Sequence, residues 1–175
     1  MTAAGPILFC YDGSEGARAA LEQAAAVFGV KEAVVACYWQ PFERDGRFRV
    51  EILELVQDAA SITERERTLA EETAAEGAAL ARELGFDAEA EAIRIDGPIE
   101  EAILMHADRI EAATIVLGAR KHSRLRSLLV GNVANEVLQR STRPVFLAAL
   151  SGLAERRREE LLRETEPAEV GNVPD

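Results

Sequence analysis

The chain alternates short apolar runs with longer segments of helical periodicity. The runs are Ile7–Tyr11, Ala33–Tyr38, Ala88–Ile95, Thr114–Leu117 and Val145–Ala148. Most runs of this length and composition suit buried strands, whereas Ala88–Ile95 alternates apolar and polar residues and suits a strand nearer the sheet edge. Parallel strands require crossover connections, and the helical segments between the runs supply them. The sequence therefore predicts an α/β fold built on an open, mostly parallel sheet.

Apolar residues at helical spacing predict a helix in each of the four connections. These helices are expected around Ala20–Phe28, Glu64–Leu84, Ile99–Ala107 and Asn132–Arg140. The buried face of the second helix is expected to consist of Leu69, Thr73, Leu80 and Leu84. That of the fourth is expected to consist of Val133, Val137 and Leu138. The stretch 42–63 is charged and only partly helical in pattern, and it gives the least clear prediction.

Composition limits the classes of protein to consider. The 175 residues are 48% hydrophobic, which suits one domain over residues 1–150, followed by a charged tail over 151–175 that is partly helical or disordered. The formal net charge of −11 argues against a nucleic-acid partner. Because the sequence has neither a bilayer-length apolar run nor a signal-peptide pattern at its start, we expect a cytoplasmic protein with no membrane partner.

The most unusual segment of this acidic chain is a basic window. No acidic residue occurs from Ala112 to Asn135, and the cations of that window are Arg120, Lys121, His122, Arg124 and Arg126. A strand precedes the window's first glycine, Gly118, and a helix follows its last, Gly131. Backbone N–H groups and cations converge in such a loop, which favours an anion such as phosphate. The alternative is a solvated charged loop.

Residues at the ends of strands could share one ligand crevice. In an open α/β sheet the crevice lies beyond the carboxyl ends of the strands, where the strand order reverses. If the first and fourth strands are neighbours there, Asp12 and Gly118 face the same crevice and Tyr38 forms a third wall. Asp12 would hold a ribose hydroxyl or an adenine amine, or it would act with Ser14 as a helix cap.

Signals for catalysis or a metal site are weak. Cys10 and Cys37 lie inside apolar strands, so we expect buried free thiols rather than a disulfide. The two histidines lack ligands at metal-binding spacing. Neither Ser123 nor Ser127 has an evident triad partner, and the phosphate-binding P-loop motif is absent. We expect a binding protein, with slow ATP hydrolysis at most.

Three segments together resemble the universal stress protein family. They are Ile7–Glu15, Ala36–Pro41 and Gly118–Val133, the last followed by 141–145. The resemblance covers about residues 5–150. It implies a Rossmann-like open parallel five-stranded sheet of order 3-2-1-4-5, with helices on both faces. It also implies that ATP, with a divalent ion such as Mg on its phosphates, binds between the first and fourth strands in a stress-response or regulatory role.

The residues that the resemblance places around an adenine nucleotide are Cys10, Tyr11, Asp12, Tyr38, Gly118, Arg120, Lys121, Gly131, Asn132 and Val133. Two of them depart from the family's signature: Lys121 stands at its second glycine, and Asn132 stands at its serine or threonine. Tyr38 is larger than the family's usual residue, so its ring would stack on adenine or fill the pocket.

The resemblance further implies a homodimer through the edge of the fifth strand, at Val145, Phe146 and Leu147. The alternative to a nucleotide-binding protein is a family member that has lost nucleotide binding. In that case Tyr38 and Lys121 fill the pocket, and the protein acts as a signalling or structural dimer.

Overall fold

A computed structural model describes residues 5–29, 31–41, 59–119 and 132–148. The elements in these ranges, in chain order, are β1 (Ile7–Cys10), α1 (Glu15–Phe28), β2 (Glu32–Trp39), α2 (Ala59–Glu83), β3 (Asp87–Arg94), α3 (Ile99–Arg109), β4 (Thr114–Gly118), α4 (Asn132–Arg140) and β5 (Val145–Ala148). The predicted tail, most of the basic window and residues 42–58 lie outside the described residues.

The strands form one parallel sheet of order β3-β2-β1-β4-β5, which confirms the predicted fold class. Ile7 of β1 pairs with Ala33 of β2 on one side and with Thr114 of β4 on the other. Farther out, Ile115 pairs with Val145 of β5. The strand order therefore reverses at β1, whose two neighbours come from opposite halves of the chain.

Alternate residues of each central strand enter different apolar layers. In β1, Phe9 packs with Leu21 of α1 in one layer, whereas Leu8 packs with Ile103 of α3 in the other. α2 joins the layer of α1, and α4 joins that of α3. Helices thus cover both faces of the sheet, as a fully parallel sheet requires.

The buried face of α2 differs from the one predicted. It consists of Ala70, Ala74, Ala78 and Ala81. Leu69 is 59% exposed, and Leu80 and Leu84 lie only at the margin of the core. α2 also begins at Ala59 rather than near Glu64. Small residues on the buried face let the helix approach the sheet closely.

The fourth helix has the predicted bounds but not the whole predicted face. Val137 is fully buried and Val133 is partly buried, as expected. Leu138, however, is 42% exposed. The buried stripe passes through Ala134 and Val137, and Leu138 lies about 100° around the helix from Val137.

Candidate functional site

The turn after β1 is held by two side chains that accept backbone hydrogen bonds. Asp12 Oδ1 accepts the N–H of Ser14 at 3.1 Å, and Ser14 Oγ accepts the N–H of Ala17 at 3.2 Å. Ser14 is therefore the N-cap of α1, and Gly13 adopts a positive φ of 73° between them. This turn sets the start of α1 at the carboxyl end of β1.

The carboxyl end of β4 lies against the first turn of α1. A Cβ on Gly118 would overlap the carbonyl group of Gly16 and approach the Ala17 nitrogen to 2.6 Å. A Cβ on Gly16 would in turn overlap the carbonyl oxygen of Ala119. The ends of β1 and β4 are thus in direct contact, as the sequence predicts. Because a helix N-terminus favours anions, the crevice that the sequence predicts at this edge of the sheet would suit negative charge.

Tyr38 stands on the α3 side of the sheet, in β2. Its hydroxyl lies 2.9 Å from His106 Nδ1, and the two rings meet edge to face with centroids 5.9 Å apart. Cys10, at the end of β1, packs in the same apolar layer as Tyr38. Tyr38 therefore links the crevice end of β1 to the middle of α3.

His106 is the buried centre of this polar chain, with only 3% of its surface exposed. Its Nε2 lies 3.2 Å from Glu91 Oε2, without the alignment of a hydrogen bond. The same carboxylate oxygen accepts a hydrogen bond from Arg109 at 2.9 Å. Burial lowers the pKa of His106, and the charge of Glu91 opposes that shift only in part. The imidazole is neutral at neutral pH.

The thiols and the phenol beside the crevice are poor acids. Burial raises the pKa of Cys10 to about 12 and that of Cys37 to about 11. It also raises the pKa of Tyr38 well above its ordinary value. Both cysteines are free, as predicted. Because only a thiolate is a good nucleophile, neither cysteine is suited to nucleophilic chemistry at neutral pH.

Tyr11 directs its side chain away from Tyr38. Its ring packs against α2 beside Gly77, where a Cβ would come within 2.6 Å of the ring. Its hydroxyl donates to Glu76 Oε1 at 3.1 Å, and that carboxylate also pairs with Arg18. The side chain of Tyr11 thus stabilises the docking of α2, on the face of the sheet opposite to Tyr38.

The remaining predicted site residues lie at or beyond the edge of the described structure. Asn132 is exposed as the first residue of α4, and Val133 packs against the α3 layer. Arg120, Lys121 and Gly131 fall outside the described residues, so their contribution to the crevice remains a prediction. Among the residues described, no cluster of His, Cys, Asp and Glu is arranged to hold a metal ion.

A separate groove of about 470 Å³ runs between β3 and α3. Its apolar lining includes Ile93, Ala102 and Met105, and His106 and Arg109 also line it. Asp12 and Gly118 do not line this groove. His106 therefore lines this groove and also contacts Tyr38 of β2.

The comparison with known families agrees with the fold. The sequence profile described as "Universal stress protein family" matches residues 4–148. The chain belongs to the universal stress protein family.

The individual relatives have low sequence identity to this chain or match only a short segment of it. A universal stress protein from Archaeoglobus fulgidus is 26% identical, with a TM-score of 0.60 over 82% of this chain and 98% of that one. A universal stress protein solved in complex with cAMP is 21% identical, with a TM-score of 0.58 over 85% and 99%. The stress response protein NhaX of Bacillus subtilis is 38% identical over 53 residues, which is 30% of this chain and 32% of that protein.

Sequence reasoning gave the fold positions of some residues of the candidate site in this universal stress protein and missed the contacts of others. It correctly placed Asp12 and Gly118 at neighbouring strand ends, and it singled out Tyr38 as the unusual wall residue. It did not find Glu91 or the partnership of His106 with Tyr38. The available signal was a histidine on the buried face of α3.

Within the described ranges, no helix has the length and apolarity to cross a bilayer.

Proposed function

We propose that this universal stress protein binds an adenine nucleotide, ATP with Mg on its phosphates, in the crevice at the carboxyl ends of β1 and β4, and that it does so in a stress-related role in the cytoplasm. The observation that carries the proposal is the contact between Gly118 and the first turn of α1. It places a helix N-terminus and the start of the basic window at one point. The cAMP complex of a structural relative supports the choice of adenine.

The described residues suit distinct roles toward such a ligand. Asp12 at the mouth of the crevice would accept hydrogen bonds from a ribose hydroxyl or an adenine amine. Tyr38 and Cys10 would form the wall beside the base. Glycine at position 118 keeps side-chain bulk away from the turn where phosphate would lie. The proposed phosphate shell consists of Gly118, Arg120, Lys121, Gly131, Asn132 and Val133.

Isothermal titration with MgATP tests the proposal directly. Wild-type protein should bind, and Lys121→Ala should bind at least about fivefold more weakly, because an ammonium near a phosphate adds about 1 kcal/mol or more. Lys31→Ala is the matched control: Lys31 precedes β2 at the opposite, amino edge of the sheet, and its loss should leave affinity unchanged. Absence of binding and of thermal stabilisation by wild type at millimolar MgATP would refute the proposal.

One observation favours a second function, a dimer that binds no nucleotide. Tyr38 is hydrogen-bonded to His106 and packs in the same layer as Cys10, so its ring occupies space beside β1. The edge strand β5 leaves Val145, Phe146 and Leu147 partly exposed, which suits pairing with a second copy. Light scattering should then give a dimer that Val145→Arg dissociates and Leu138→Arg, on exposed α4 surface, does not.

A further inference from the structure

The position of Tyr38 in the sheet fixes where its ring can lie. Tyr38 pairs with Ile93 of the edge strand β3, and two residues earlier Ala36 pairs with Cys10 of β1. Its side chain packs in the layer beneath α3, together with Cys10 and Ile93. The ring is therefore the side chain that borders the β1 end of the crevice from the β2 side.

The contacts of His106 determine which ring nitrogen carries the proton. Nε2 lies 3.2 Å from the carboxylate oxygen of Glu91, and a negative oxygen at that distance favours the hydrogen of the neutral ring on Nε2, even without the alignment of a hydrogen bond. Nδ1 is then an acceptor, and the hydroxyl of Tyr38 at 2.9 Å must donate to it.

The same assignment also accounts for the contacts of the residues next to His106. The Tyr38 hydroxyl, whose proton then goes to His106 Nδ1, belongs to the same layer as Cys10. Arg109 holds the Glu91 carboxylate from outside the layer at 2.9 Å, so Glu91 stays beside the imidazole. The contacts thus run from Tyr38 through His106 to the pair formed by Glu91 and Arg109.

We infer that His106 is a positioning residue that holds the Tyr38 ring as a fixed aromatic wall of the crevice and engages the proton of its hydroxyl. The inference deepens the proposed function and rests on it for the identity of the ligand. A wall that offers only a ring face recognises a planar heterocycle by stacking. It does not read the base's edge, so at this wall the crevice discriminates poorly between one purine and another.

The positioning role is tested without any nucleotide, by the ring ¹⁵N resonances of His106. His106→Gln assigns these resonances, because the chain has only two histidines. Wild type should show the neutral Nε2–H form, and Tyr38→Phe should shift the Nδ1 resonance because its donor is lost. Met105→Leu, on the exposed face of α3, should shift it little. An Nδ1–H form in wild type, or an unmoved Nδ1 in Tyr38→Phe, would overturn the inference.

The ligand class is tested by titrating MgATP and MgGTP into wild type and four variants. Tyr38→Leu should lose at least about fivefold in affinity for both nucleotides, because stacking is lost. Tyr38→Phe and His106→Leu should each lose a few-fold, and the double variant should lose no more than either single one. The ratio of the two affinities should stay unchanged throughout.

The outcomes separate this inference from the proposed function. If wild type binds neither nucleotide, the proposed function fails and the stacking assignment fails with it, while the imidazole resonances still decide the positioning role. If wild type binds but Tyr38→Leu binds equally well, the stacking wall is wrong and the proposed function stands. Additive losses in the double variant would show that His106 does not act through Tyr38.

Discussion

Gly118 at the end of β4 and Gly16 in the first turn of α1 are in backbone contact, with no room for a Cβ on either residue. The family resemblance assigns Gly118 to the phosphates of a nucleotide. The structure adds a second requirement, because the start of α1 can dock on the sheet only if both positions lack a side chain. Glycine at 118 therefore serves packing as well as any ligand.

We expect Gly118→Ala to destabilise the fold by about 3 kcal/mol, the upper end of the usual cost of overpacking. The atoms in the way are backbone atoms of Gly16 and Ala17, which cannot rotate aside as a flexible side chain would. Urea denaturation followed by circular dichroism measures the change in the free energy of unfolding.

Gly97→Ala is the matched control for this prediction. No atom lies within 4 Å of the Cβ that the substitution would add, and the φ of Gly97 is not positive. Its free energy of unfolding should stay within about 0.5 kcal/mol of wild type. A stable Gly118→Ala protein that loses only nucleotide affinity would show that the glycine is there for the ligand alone.

Gly77→Ala tests the close approach of α2 to the sheet. Alanine in place of glycine inside a helix usually stabilises it by about 1 kcal/mol. Here the new Cβ would come within 2.6 Å of the ring of Tyr11, which is 2% exposed and has little space to move. We expect a net loss of about 1 kcal/mol by urea denaturation.

The control is the Gly77→Ala substitution made in a Tyr11→Leu protein. In a Tyr11→Leu protein the ring is gone, and Gly77→Ala should then be neutral or stabilising. The double-mutant cycle isolates the contact between the two positions. If Gly77→Ala stabilises wild type as much as the Tyr11→Leu protein, the close approach of α2 is refuted.

The sheet was predictable from sequence because each apolar run has a single plausible role. Val34 and Val35, for example, are buried on opposite faces of the sheet, so their environment tolerates apolar residues throughout. The face of α2 was not predictable in the same way. Leucine spacing marks Leu69 as buried, yet a close helix-to-sheet distance selects Ala70 and Ala74 instead, and that distance is a property of the assembled layers.

Some residues of the candidate site were likewise predictable from sequence, and others were not. Asp12 and Gly118 follow from strand ends and topology, since neighbouring parallel strands finish at the same edge. The link from Tyr38 to His106 joins residues 68 positions apart, and Glu91 comes from a third element. Periodicity indicates that His106 is buried, but only the packing of α3 on β2 and β3 shows which partners it has.

The cysteines should be unreactive while the protein is folded. The pKa values of about 12 for Cys10 and about 11 for Cys37 leave very little thiolate at pH 8, where an ordinary cysteine reacts readily. A disulfide-exchange reagent added at pH 8 should titrate both thiols in urea and react far more slowly in native buffer. Rapid reaction of the native protein at Cys10, shown by its loss in Cys10→Ser, would contradict the enclosure of that thiol.

The burial of His106 makes the stability of the fold depend on pH. The pKa of His106 is lowered in the folded state from the 6.5 of an exposed histidine, first by desolvation and also by the charge of Arg109, against the opposing effect of Glu91. Below about pH 6.5, His106 therefore binds a proton in the unfolded chain but not yet in the folded chain. By linkage, the contribution of His106 to the free energy of unfolding is fully present above that pH. It decreases as the solution is acidified toward the folded-state pKa.

Denaturation in urea at a series of pH values between 7.5 and 5.5 measures this dependence, with His106→Gln as the reference. Wild type should lose stability over this interval, and His106→Gln should lose less, because glutamine takes up no proton. The difference between the two slopes belongs to His106 even though other groups titrate in both proteins. Equal slopes would mean that the imidazole is as accessible to protons in the folded chain as in the unfolded one, which would contradict its enclosure between Tyr38 and Glu91.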